Sequence, residues 1–69
     1  MEDIYIAGGP DLYYLFPLTP AGEQWSEHHV FRYPVLYVEE GVVVLETDDI
    51  VPIIQDAEIH GCVVEQKRV

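Results

Sequence analysis

The chain has 69 residues, of which 49% are hydrophobic, and thirteen acidic residues against three lysines and arginines give a net charge of −10. A chain of this length forms one domain, residues 1–69, and its apolar content excludes a wholly disordered polymer. One cysteine excludes an internal disulfide, and no apolar stretch approaches the roughly 20 residues of a membrane span. Since a basic leader is also missing, the sequence predicts a cytoplasmic protein that contacts neither membranes nor nucleic acid directly.

The first two predicted strands form an antiparallel hairpin. Residues 4–7 make one strand, residues 8–11 (Gly-Gly-Pro-Asp) make a turn, and residues 12–18 make the second strand. Pro17 indicates an edge strand or the end of a strand. Alternation places two apolar sets on opposite faces of the second strand: Leu12, Tyr14, Phe16 and Leu18 on one, Tyr13 and Leu15 on the other. The register therefore stays open, and one face is expected to meet a partner.

A short helix is predicted over residues 19–29. Thr19 offers an N-cap oxygen, and a proline follows at the first helical position, where its fixed φ suits the helix. Helical spacing divides the side chains between two faces: Ala21, Trp25 and His28 on one, Glu23 and Glu27 on the other. The pattern predicts an amphipathic helix with an acidic outer face and with His28 packed beside Trp25.

Two further strands and a hairpin connection are predicted in the middle of the chain. Residues 35–38 form a strand, and residues 39–41 (Glu-Glu-Gly) turn the chain, with Gly41 supplying a positive φ. Residues 42–45 are an unbroken apolar run, which is typical of a strand covered on both faces.

A second helix and a last strand complete the chain. Asp48 or Asp49 is expected to cap the helix, because Pro52 belongs in a first helical turn. Gly61 is the expected C-terminal stop, and residues 62–66 return to strand. Four apolar residues share one helix face: Ile50, Ile53, Ile54 and Ala57.

The predicted order is β-β-α-β-β-α-β, an α+β domain with a mostly antiparallel sheet and two short helices on one face. The second helix is long enough for a right-handed crossover, which makes parallel pairing of residues 42–45 with residues 62–66 possible. The expected core is listed here: Trp25, Val43, Val44, Leu45, Ile50, Ile54, Ala57 and Val63.

No motif in the chain predicts catalysis, a cofactor or a metal. Adjacent His28 and His29 diverge by about 100° on a helix, and no Cys-x-x-Cys or His-x-x-x-His pair is present. His60 and Cys62 are not expected to form a nucleophile and base pair. Cys62 is expected to be a small core residue, and the protein is not expected to be an enzyme.

Residues 1–66 contain thirteen acids and a single arginine, Arg32. The acids therefore have few intramolecular partners of opposite charge. Acids one helical turn apart, or two residues apart on a strand, lie about 5 to 7 Å from each other, a spacing comparable with that of neighbouring phosphates. The pattern favours a basic partner. The candidate partner-binding residues are Glu23, Glu27, Glu39, Glu40, Glu46, Asp48, Asp49, Asp56 and Glu58, with the hairpin and the strand-to-helix junction at the centre.

In size, acidity and lack of enzymatic motifs, the chain resembles small inhibitors encoded by phages and mobile elements, notably anti-CRISPR proteins that act as DNA mimics. The resemblance implies a basic nucleic-acid-binding partner, for example a CRISPR effector complex, in the cytoplasm of a bacterial host. Two alternatives stay open: a housekeeping module that forms oligomers, and an antitoxin that neutralises a basic toxin.

Self-association is also expected, because five tyrosines, two phenylalanines and Trp25 are more aromatic surface than so small a core hides. Tyr13, Tyr37 and Ile59 are the candidate exposed members of a homodimer interface. Ile59 falls opposite the helix face that carries Ile50 and Ile54.

Overall fold

A computed structural model describes residues 1–67, and its elements follow the predicted order. The strands are β1 (Ile4–Gly8), β2 (Leu12–Pro17), β3 (Val35–Glu39), β4 (Val42–Glu46) and β5 (Val64–Gln66). The helices are α1 (Pro20–His29), a 3-10 turn at Val30–Arg32, and α2 (Val51–Ile59). The α+β prediction is confirmed, with five strands in one sheet. Within residues 1–67 no helix is both long enough and apolar enough to cross a membrane.

The sheet has the strand order β3-β4-β2-β1-β5, which corrects one predicted pairing. All neighbouring strands are antiparallel except β1 and β5, where Ile4 pairs with Val64. The crossover through α2 therefore does not return to β4. It passes β2 and β1 and adds β5 at the far edge, because the β1–β2 hairpin already occupies the place beside β4.

The core lies on one face of the sheet, beneath both helices. Strands β1, β2 and β4 pair in a register that aligns Ile6, Leu15 and Val43 across the sheet. These side chains form one cluster with further residues of the strands, helices and loops: Ile4, Tyr13, Trp25, Val30, Leu45, Ile50, Ile53, Ala57 and Cys62. Cys62 is confirmed as a core residue, and burial raises the pKa of its thiol.

The structure resolves the register of β2 and corrects three predicted positions. Tyr13 and Leu15 point into the core, so the prediction that Tyr13 is exposed is wrong. Val63 is 55% exposed, because β5 begins at Val64, two residues later than predicted, and Cys62 fills the core instead. Ile54 is half-buried at the margin of the core, whereas Ile53 is 2% exposed. Proline at position 17 ends β2, which is an interior strand.

The start of α1 forms as the sequence predicts, but its buried face is rotated by one residue. Thr19 is the N-cap, and its hydroxyl accepts a hydrogen bond from the N–H of Gly22 at 3.2 Å. His28 is exposed, and His29 is the histidine beside Trp25, with ring centroids 6.4 Å apart. The helix turns this way because Gly22 lets it approach the amino-terminal segment closely.

The prediction that Asp48 or Asp49 is the N-cap of α2 is wrong, because the N-cap is the residue after Asp49. Ile50 occupies the N-cap and makes no side-chain capping bond, and the carboxylate of Asp49 instead accepts from the N–H of Val51 at 3.0 Å. Pro52 lies in the first turn as expected, and Gly61 ends the helix with φ of 89°.

Candidate functional site

The acids of the described region are largely unpaired. Within residues 1–67 the one ion pair joins His60 Nδ1 to Asp56 Oδ1 at 3.0 Å. Eight of the nine nominated acids are exposed, Asp56 being the exception. Unpaired surface carboxylates repel one another, and this repulsion is relieved when a cationic partner binds.

The nominated acids lie at two ends of the sheet instead of around one centre. Glu39 and Glu40 form the tip of the β3–β4 hairpin. Glu46 ends β4 beside Leu12, and Asp48 and Asp49 follow it on the loop that leads into α2. The five residues of β4 separate the two groups, which at about 3.3 Å per residue is roughly 13 Å from Val42 to Glu46.

An apolar groove brings three of these acids together. It lies between α1 and the β3–β4 hairpin, has a volume of about 470 Å³, and is lined by Glu23, Glu27 and Glu40. Its apolar lining includes three exposed side chains: Leu18, Phe31 and Val38. No lysine or arginine of residues 1–67 lines it. We call this surface, defined by these six residues, the acidic groove.

The sequence does not predict the apolar side of the acidic groove. It places Leu18 in a strand, and Phe31 and Val38 carry no local signal because they belong to a 3-10 turn and an edge strand of the folded chain. The useful signal was the acidic outer face of α1. Glu23 and Glu27 lie on it as predicted, and the hairpin brings Glu40 to the same groove.

Asp56 differs from the other nominated acids, because its carboxylate is engaged within the fold. The hydroxyl of Tyr33 donates a short hydrogen bond to Oδ2, and Trp25 Nε1 donates to Oδ1 at 3.4 Å. The side chain is 13% exposed. The hydrogen bond from Tyr33 is the main reason that the pKa of Asp56 is lowered, and the same bond raises the pKa of Tyr33. Glu58, two residues further along the helix, is exposed.

The proposed self-association residues do not form one patch. Tyr37 is 48% exposed on β3 and Ile59 is 82% exposed at the end of α2, whereas Tyr13 is buried. A different aromatic surface covers the sheet face opposite the helices. Tyr5 and Phe16 pack there with ring centroids 5.9 Å apart. The buried Val44 pairs with Tyr14 on one side and with Tyr37 on the other.

Comparison with known proteins gives no relative: no family model matches the chain, no curated protein matches its sequence, and no solved structure matches its fold. The function is therefore argued from the site alone.

Proposed function

We propose that the protein is a small inhibitor, of the anti-CRISPR or DNA-mimic kind, that binds a basic nucleic-acid-handling protein through the acidic groove. The observation that carries this proposal is the combination of an apolar groove with three glutamates and no base among its lining residues. A partner that offers arginine or lysine side chains fits both properties.

Arginine and lysine suit this groove because each joins an apolar stem to a cationic head. The stem packs on exposed carbons of Leu18, Phe31 and Val38, which water otherwise covers. The head reaches a carboxylate at the rim. Arginine adds a planar fork that binds a carboxylate through two parallel hydrogen bonds, so it is the favoured contact residue.

The remaining acids contribute to the field around the protein. A net charge of −10 on so small a domain attracts a basic surface over a distance of about one Debye length, near 8 to 10 Å at physiological salt. Such steering raises the association rate and makes it sensitive to salt. Nucleic acid binds basic surfaces by the same long-range attraction, which is why an acidic protein can occupy them in its place.

The test is retention of heparin-binding bacterial proteins on the immobilised protein, followed by a salt gradient. Two triple variants remove three charges each: Glu23→Gln, Glu27→Gln and Glu40→Gln from the acidic groove, and Glu46→Gln, Asp48→Asn and Glu58→Gln from elsewhere. We expect a basic protein to be retained, and to elute from the groove variant at lower salt than from the matched variant.

Two results would count against the proposal. If both variants retain the basic protein as strongly as wild type does, the replaced acids contribute only to solvation. The acidic groove then does not bind that protein. If both lose retention equally, net charge alone attracts basic proteins and the groove is not a specific site. A retained basic protein that does not bind nucleic acid would favour the antitoxin alternative.

Self-association through β3 is a second candidate, favoured by one observation. This edge strand exposes Leu36, Tyr37 and Val38, each about half accessible, and exposed apolar edge strands pair readily with another chain. We expect Tyr37→Lys to shift a dimer to monomer in light scattering at high micromolar concentration. A wild-type monomer mass under those conditions would exclude this candidate.

A further inference from the structure

We propose that His29, Asp56 and His60 form a binding site for one divalent transition-metal ion of the Zn²⁺ class. The site lies where the end of α1 meets the end of α2, away from the acidic groove. The inference is independent of the proposed partner.

The geometry of the three side chains carries the inference. One potential ligand atom from each residue lies within 4.8 Å of the other two. His60 Nδ1 and Asp56 Oδ1 are already 3.0 Å apart. Ligand atoms held tetrahedrally at about 2.0 to 2.1 Å from zinc are about 3.3 Å from one another, so the three ligand atoms need to approach one another by about 1.5 Å at most.

The two imidazole rings are already in contact, so the adjustment falls to the exposed ring of His60. Their centroids are 4.0 Å apart and the rings are tilted by 33°, so they face each other without a hydrogen bond between them. The side chain of His60 is 40% exposed and lies just beyond the end of α2. His60 Nδ1 also lies 2.8 Å from the backbone oxygen of Asp56, and a turn of the ring exchanges this contact for an ion held between Asp56 and His29.

A second observation points to a ligand at the same place. Nδ1 of His29 is buried and has no hydrogen-bond partner among residues 1–67. A buried polar atom of this kind is rare in folded proteins, and an ion is one of its ordinary explanations.

Asp56 is also held as a metal ligand should be. The donors Tyr33 and Trp25 fix the orientation of its carboxylate, and hydrogen bonds to the ligating groups commonly set metal affinity. Two imidazoles and one carboxylate favour a borderline ion such as Zn²⁺ over Ca²⁺ or Mg²⁺, which prefer oxygen. Three protein ligands leave a fourth position for water.

The experiment uses the full chain without a histidine tag, stripped of metal and titrated with Zn²⁺ by calorimetry. We expect one ion per chain and a rise in melting temperature on addition of the ion. His60→Ala should weaken binding at least tenfold, and Tyr33→Phe by about 10- to 100-fold through the loss of carboxylate orientation. His28→Ala removes an exposed histidine next to the site and should leave the affinity within about twofold of wild type.

Imidazole NMR signals keep the proposal testable if a variant unfolds. In the wild-type chain, Zn²⁺ should shift the signals of His29 and His60 and leave those of His28 unchanged. The proposal is overturned if no saturable binding occurs, if His28→Ala weakens binding as much as His60→Ala, or if all three histidines respond alike.

Discussion

The replacement Asp56→Asn tests the buried hydrogen-bond network that joins the two helices. The variant keeps the shape of the side chain but removes its charge and one of its two acceptor oxygens. Tyr33 and Trp25 donate to different oxygens of Asp56, so the amide oxygen can accept from only one of them, and neither interaction is then a hydrogen bond to a charged group.

The expected cost follows from the chemistry of these bonds. A hydrogen bond to a charged group contributes about 1.5 to 3 kcal/mol, and the loss of one is the minimum effect of the substitution. For a domain of 60 to 100 residues, 1 kcal/mol shifts the melting temperature by about 4 to 8 °C, so we expect a fall of roughly 6 to 24 °C.

Glu58→Gln is the matched control, because it removes the same charge from an exposed position of the same helix. Surface substitutions of this kind change the free energy of unfolding by about 0.5 kcal/mol or less. The free energy of unfolding of both variants is measured by urea denaturation, which Trp25 fluorescence follows. Equal stability of Asp56→Asn and Glu58→Gln would refute the network. Tyr33→Phe should lose much of the same stability, and a double-mutant cycle with Asp56→Asn measures the shared part.

Three further predictions concern stability. Gly22→Ala should destabilise the fold by about 1 to 3 kcal/mol, because the Cβ of alanine would lie 2.0 Å from the carbonyl oxygen of Asp3. Alanine otherwise favours helices, so an increase in melting temperature would contradict this contact. Ile53→Ala should cost about 2 to 5 kcal/mol in denaturant melts, and a loss below 1 kcal/mol would show that α2 does not pack as described. The pKa of Asp56 is lowered in the folded state, so its contribution is complete above the ordinary carboxyl pKa of about 3.9 and is lost as the pH falls through the folded value. The stability difference between wild type and Asp56→Asn should therefore shrink below about pH 4, and a difference independent of pH would contradict this assignment.

The order of the elements was predictable from the sequence because local signals fix it. Thr19 with the following proline starts α1, Gly41 turns the hairpin with φ of 81°, and Gly61 ends α2. Each signal acts within a few residues, so tertiary packing does not need to be known. The strand order depends on which edges are free after the hairpins form, and the partner of β5 was therefore not predictable.

The functional surfaces were only partly predictable, for the same reason. Exposure of Glu23 and Glu27 follows from helical spacing, which acts locally. The environment of Asp56 depends on Tyr33 and Trp25, which lie 23 and 31 residues away in the chain. Asp56 precedes His60 by four residues, and this spacing was the one local sign that the two side chains meet.

Competition with DNA tests the proposed inhibitor most directly. A basic protein retained through the acidic groove is mixed with a fluorescently labelled DNA duplex, and the anisotropy of the duplex is followed as unlabelled inhibitor is added. We expect wild type and the Glu46, Asp48 and Glu58 variant to release the duplex, and the Glu23, Glu27 and Glu40 variant to require a much higher concentration. If the duplex stays bound while the inhibitor also binds, the two ligands use different surfaces of the partner and the protein is not a DNA mimic.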